Sequence, residues 1–211
     1  MTENRFNLFQ KNIKERTNYI TVVLEDIFQG HNASAVLRSC DCFGVQNVHT
    51  IENRNEFMVN SEIDMGASKW LSLSRYNDEN SSNTLDAINK LKAEGYRIVA
   101  TSPKPGNIKL NEFDITKGKT AIVFGTELTG ISSVVEENAD EFMTIPMYGF
   151  TESFNISVSV AIILHHLTMV MRSSKVNWPL SEIEKDNVLF QWYSRSIKGS
   201  EKIIEKFTND K

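Results

Sequence analysis

The segment at 142–171 constrains the fold more than any other part of the chain. A strand-like run at 142–147 enters a short polar loop at 148–155, and a long apolar helix at 156–171 follows at once. Ser153 and Asn155 therefore fall at a helix N-terminus. Free backbone N–H groups and the positive end of the helix dipole gather there, which suits a polar or anionic group. The segments at 32–44 and 124–132 leave strands in the same manner. Three strand-to-loop junctions bearing polar side chains predict one composite site.

Strand and helix signals alternate along the rest of the sequence. Residues 19–27, YITVVLEDI, are rich in β-branched side chains and read as a buried strand. Asn32 is a natural N-cap and Gly44 a natural C′ residue for a helix over 33–43. Further strands are predicted at 47–52, 71–76, 96–101 and 120–125, and helices at 84–93, closed by Gly95, and at 132–138. Ser181 and Glu184 form a capping box for a helix running to about Ile197, with a break at Gly199. Strands alternating with helices predict an α/β fold with a parallel sheet and flanking helices.

Ligands of such sheets bind at the carboxyl ends of the strands. The common nucleotide fingerprints are missing. No G-x-G-x-x-G follows a strand, and Gly125 to Gly130 (GTELTG) runs into Ile131-Ser132, which excludes a Walker site. Cys40 and Cys42 are two apart on a predicted helix, so they point in different directions; neither a disulfide nor a metal site is expected. The apolar run at 156–171 is interrupted by Ser157, Ser159, His165, His166 and Thr168, and reads as too short and too polar to span a bilayer. The N-terminus lacks a signal-peptide pattern, so cytoplasmic residence is the default.

The formal net charge of −4 does not advertise nucleic-acid binding, but its distribution is uneven. Residues 1–20 carry four Lys/Arg against two acids, and residues 172–211 carry eight against six. Basic ends on an acidic middle suit an RNA grip; solvated charged helices explain them equally well.

Three segments together resemble the signature motifs of the SpoU/TrmH family of RNA ribose 2′-O-methyltransferases. They are N-A-S-A-V-L-R from Asn32 to Arg38 with the run to Val45, F-G-T-E-L-T-G-I-S from Phe124 to Ser132, and I-P-M-Y-G-F-T-E-S-F-N-I-S from Ile145 to Ser157. The likeness spans roughly residues 19–172. It implies a C-terminal trefoil knot, a homodimer and S-adenosylmethionine as cofactor. It also implies Arg38, Asn32, Glu127, Ser153 and Asn155 as catalytic residues. The cofactor-binding residues implied are Thr101, Gly125, Ile145, Met147 and Phe154, largely through backbone, with the glycines admitting close approach of main chain to ligand.

Each of these residues also has a plain reading. Arg38 alone reads as one end of a surface salt bridge, Asn32 alone as a helix cap, and Ser153 and Asn155 alone as caps of the long helix. Glu127 is a solvated carboxylate, or else one that orients Arg38 or Asn155 through a charge-assisted hydrogen bond. Met143, Met147, Met169 and Met171 read as core filling, and His31 as a loop histidine. His165 and His166 suit packing or partner contacts. Trp178, Trp192 and Tyr193 more often dock a helix than stack on bases.

The resemblance divides the chain into an N-terminal extension (1–18), a knotted methyltransferase domain (19–175) and a C-terminal helical extension (176–211). Short additions at both ends look most like those tRNA-modifying members of the family that act on the D-loop guanosine at tRNA position 18. The same reaction on ribosomal RNA or at another tRNA position is the alternative, and a non-catalytic RNA-binding dimer is a reading of another class. The expected partners are tRNA and a second copy of the chain, with neither membrane nor metal.

Overall fold

A computed structural model describes residues 1–104, 106–197 and 199–200. Expectations for the C-terminal extension beyond residue 200 lie outside the described residues. The chain divides into two compact units, Thr17–Trp178 and Met1–Arg16 together with the chain from Pro179 onward.

The larger unit is a seven-stranded sheet. Its strands are β1 (Ile20–Glu25), β2 (Asn47–Ile51), β3 (Ser72–Tyr76), β4 (Arg97–Thr101), β5 (Ile108–Lys109), β6 (Thr120–Phe124) and β7 (Glu141–Thr144). Their order is β3-β2-β1-β6-β4-β7-β5, and every pairing is parallel. β1 and β6 are buried along their whole length, as expected of central strands covered on both faces. Edge strand β3 alternates between half-buried and exposed positions.

Alternation along β1 sends side chains into two hydrophobic clusters. Val22 and Leu24 join Val36, Leu37 and Cys40 of α2 (Gly30–Phe43) and Val160, Leu164 and Met171 of α6 (Ile156–Ser173). Val23 joins Ala87, Ile88 and Leu91 of α4 (Asn83–Ala93) and Val135 of α5 (Ser133–Asn138) on the opposite face. α3 (Ser61–Asp64) is a single turn, and neither it nor β5 had a signal in the sequence.

Register fixes where the loops emerge. Leu24 pairs with Phe124, Ala100 with Val123 and Thr101 with Met143. The carboxyl ends of β1, β6, β4 and β7 therefore lie side by side. The loops after them, at 26–29, 125–132, 102–107 and 145–155, leave from one edge of the sheet.

Five sequence expectations are corrected here. α2 begins at Gly30 with Gln29 as its N-cap, so Asn32 lies within the first turn rather than capping it, and His31 is helical rather than in a loop. The reason is the contact partners of Asn32, described below. β7 ends at Thr144, three residues before the expected Met147. α6 runs eighteen residues to Ser173, long and apolar enough by length and composition to cross a membrane. Its placement follows instead from the apolar side it buries against α2 and the sheet. Of the four methionines expected to fill the core, Met143 and Met171 are fully buried, whereas Met169 is exposed. Gly44, with φ +77, closes α2 in the left-handed conformation as expected.

In the smaller unit, α1 (Glu3–Asn12) is held to α7 (Glu182–Ser196) by aromatic contacts. Phe9 lies 5.4 Å from Trp192 and 5.8 Å from Tyr193 between ring centroids, and the Arg16 guanidinium sits 5.2 Å over the Trp192 ring. Trp192 thus docks a helix. The Ser181–Glu184 capping box opens α7 as the sequence indicates.

Candidate active site at the carboxyl edge of the sheet

A cavity of about 610 Å³ opens where β4, β6 and β7 end. Its lining includes Thr101, Gly125, Ile145, Met147 and Phe154, together with Glu127, Ser153 and Asn155. Met147, read both as core filling and as a cofactor contact, lies in this lining. The Thr101 hydroxyl donates to the Val123 carbonyl at 3.0 Å, which ties the end of β4 to β6.

The loop after β6 is a closed turn. Thr126 N–H donates to the Gly130 carbonyl at 2.9 Å, and Gly130 N–H returns to the Thr126 carbonyl at 3.1 Å. The Thr126 and Thr129 hydroxyls meet at 2.7 Å. A Cβ on Gly125 would stand 2.2 Å from the backbone carbon and oxygen of Gly130. The close approach that makes glycine necessary here is to the loop's own main chain. The turn projects Glu127 and Leu128 outward.

Asn32 from the first turn of α2, Glu127 from the turn after β6 and Asn155 from the N-cap of α6 come together. Asn32 Nδ2 donates to Glu127 Oε1 at 2.7 Å and to Gln29 Oε1 at 3.3 Å. Asn155 Nδ2 donates to Asn32 Oδ1 at 3.1 Å. Asn155 also caps α6, its Oδ1 accepting from the N–H and hydroxyl of Ser157 at 2.9 and 2.7 Å. One relay of directions follows. The free N–H groups of α6 claim Asn155 Oδ1, so Asn155 presents its NH₂ to Asn32; Asn32 must then accept with its oxygen and present its own NH₂ to Glu127. The orientation of a helix therefore sets both amides, and the Glu127 carboxylate ends the chain. Buried Asn32 is held in this relay, which is why it does not cap α2.

Arg38 stands apart. It is exposed and has no hydrogen-bond or ion-pair partner among the described residues. Six residues beyond Asn32 on one helix, it lies roughly 240° around and about 9 Å along the axis. Glu127 therefore orients Asn32, and among the described residues it bonds directly to neither of its expected partners, Arg38 and Asn155; it reaches Asn155 only through Asn32. Ser153 is exposed on the cavity wall.

Sequence reasoning missed Gln29, the second acceptor for Asn32, and Lys104, which lines the cavity in an ion pair with Glu136. It also passed over Leu128, Tyr148 and Phe150, whose side chains are almost wholly exposed on the loops flanking the cavity. Exposed apolar side chains on loops carry no periodic signal.

Residues 19–165 match the SpoU rRNA Methylase family model. The tRNA (guanosine(18)-2′-O)-methyltransferase of Borreliella burgdorferi is 43% identical over 209 residues, covering 99% of this chain and 93% of that protein. The enzyme of the same name from Aquifex aeolicus is 30% identical over 207 residues, covering 96% and 95%. Among solved structures, the Aquifex aeolicus TrmH/SpoU tRNA modifying enzyme superimposes with a TM-score of 0.81 at 28% identity, over 92% of this chain and 98% of that one. With the three motif loops gathered at one sheet edge and a match running through nearly the whole larger unit, the chain belongs to the SpoU methylase family.

Proposed function

We propose that this protein methylates the ribose 2′-hydroxyl of the guanosine at position 18 of tRNA, with S-adenosylmethionine as methyl donor. The observation that carries the reading is the Asn155–Asn32–Glu127 relay beside the cavity. Near-complete coverage of relatives bearing that activity supports the substrate.

The cavity suits the donor. Its volume is in the range of cofactor sites, and it combines the backbone of two loops with the apolar side chains of Ile145, Met147 and Phe154. When bound there, S-adenosylmethionine supplies an electrophilic methyl group. The chain's own residues position the acceptor. Asn155 holds its amide on the cavity wall, bonded to the Asn32 amide behind it, and Glu127 keeps the pair aligned. Arg38 is permanently charged, so it grips a substrate phosphate rather than acting as a free base; that phosphate receives the hydroxyl proton. Ser153 contacts the substrate from the cavity wall.

The methyltransferase domain occupies residues 19–175 and carries a C-terminal trefoil knot, as the family likeness implies. The extensions at 1–18 and 176–211 hold RNA. The protein works as a cytoplasmic homodimer without metal. Val158, Met169 and Val170, which α6 leaves exposed, supply apolar surface for the second copy.

Labelled methyl transfer to unmodified tRNA and to ribosomal RNA, with Arg38→Ala alongside, tests this reading. Label on tRNA alone, abolished in the variant, is expected. Label on ribosomal RNA alone would overturn the substrate, and label on neither would leave an RNA-binding dimer.

A further inference from the structure

Glu25, the last residue of β1, is 2% exposed and belongs to none of the three motif segments. Its carboxylate accepts three hydrogen bonds. Ser132 donates its hydroxyl to Oε1 at 2.7 Å and its backbone N–H to Oε2 at 3.0 Å, and the Thr84 hydroxyl donates to Oε1 at 2.7 Å. Thr84 in turn accepts from Asn53 Nδ2 at 2.9 Å. Such a group is costly to bury unless its acceptor sites are filled, and filling them fixes the donors in place.

The donors matter because of what they carry. Ser132 is the N-cap of α5 and lies two residues beyond Gly130, where the Thr126–Gly130 turn closes. That turn presents Glu127 to Asn32. The neighbouring carboxylate works on the other side. Asp26, at φ +53, accepts from the backbone N–H groups of Asn53 and Arg54 at 2.7 and 2.8 Å. The loop it holds leads to Asn60, whose N–H donates to Ser34 on the first turns of α2 at 2.7 Å. The end of β1 thus anchors both the turn bearing Glu127 and the loop clasping the helix that bears Asn32.

We infer that Glu25 is a positioning residue for methyl transfer: through Ser132 it sets the turn that places Glu127 against Asn32. The inference rests on the proposed role of that pair.

The test compares Glu25→Gln, Glu25→Asp and Ser132→Ala with Glu127→Ala in the full-length protein. In Glu25→Gln the new side chain presents an NH₂ toward one of the donors, which misplaces Ser132 with almost no change in volume. Glu25→Gln is expected to lower kcat by about 10- to 100-fold, the scale of an ångström's misplacement, with KM for tRNA unchanged. Ser132→Ala should move kcat the same way, and Glu25→Asp should recover part of it. The double variant Glu25→Gln/Glu127→Ala should be no slower than Glu127→Ala alone. A wild-type kcat in Glu25→Gln, or losses that multiply in the double variant, would overturn the inference. The side-chain amide NMR signals of Asn32 give a readout independent of activity. They should shift in Glu25→Gln as they do in Glu127→Ala; unmoved signals would overturn the inference whether or not the protein methylates tRNA.

Discussion

Asn32 and Glu127 are 95 residues apart in sequence, and 2.7 Å separates the Asn32 amide nitrogen from the Glu127 carboxylate oxygen. The bond joins the helix after β1 to the turn after β6, two strands that are neighbours in the sheet. It exists because parallel strands paired in register deliver their following loops to the same edge.

Asn32→Asp places a second carboxylate beside Glu127 and removes the amide donor. Like charges at this separation repel, and the relay loses its direction. Methyl transfer should fall at least about 100-fold, as expected when a reacting group is displaced, and the melting temperature should fall above neutral pH, where both carboxylates are charged, and recover as the pH is lowered. Single-turnover kinetics with thermal melting would check both.

Asn155 serves the relay and the cap of α6 at once, and two substitutions separate these roles. Asn155→Ala should cost about 1 kcal/mol of stability through loss of the cap, and should reduce activity as well. Asn155→Asp keeps an oxygen for the Ser157 N–H but loses the donor to Asn32. It should therefore retain stability and lose activity, measurable by chemical denaturation and labelled methyl transfer.

Those two asparagines show how far the sequence could be read. The alternation of strands and helices, the left-handed closure at Gly44 and the Ser181–Glu184 box depend on local chemistry and were legible. So was the gathering of Thr101, Gly125, Ile145, Met147 and Phe154 on one wall, given the family likeness. Asn32 was misread as a cap because local sequence scores Asn at any helix start. Only the distant carboxylate of Glu127 and amide of Asn155 draw its side chain away. Glu25 was invisible for a related reason, since the end of an apolar strand gives no hint of donors 59 and 107 residues further on.

Gly125→Ala should be severe for its size. The new methyl would overlap Gly130 backbone, which has no flexible side chain to yield. The loop must shift, at a cost of about 1–3 kcal/mol typical of overpacking. Cofactor binding measured by calorimetry should weaken, and the Asn32–Glu127 contact should open.

Acid should destabilise the larger unit through His49. Burial pushes its pKa down from 6.5 to about 4, with the Lys90 charge adding to the shift, while its ring stacks on Tyr76. Between pH 6.5 and 4 the unfolded chain binds a proton that the folded one refuses. Stability therefore falls as pH drops through that window and levels off below it. The loss is on the order of 3 kcal/mol, and His49→Phe should flatten this part of the curve. Urea unfolding at successive pH values would show it.

The most direct test of the central claim uses two tRNA transcripts that differ at one atom, guanosine or 2′-deoxyguanosine at position 18. The account predicts methyl incorporation into the first and none into the second. Equal incorporation into both would contradict it, since the methyl group would then be landing elsewhere.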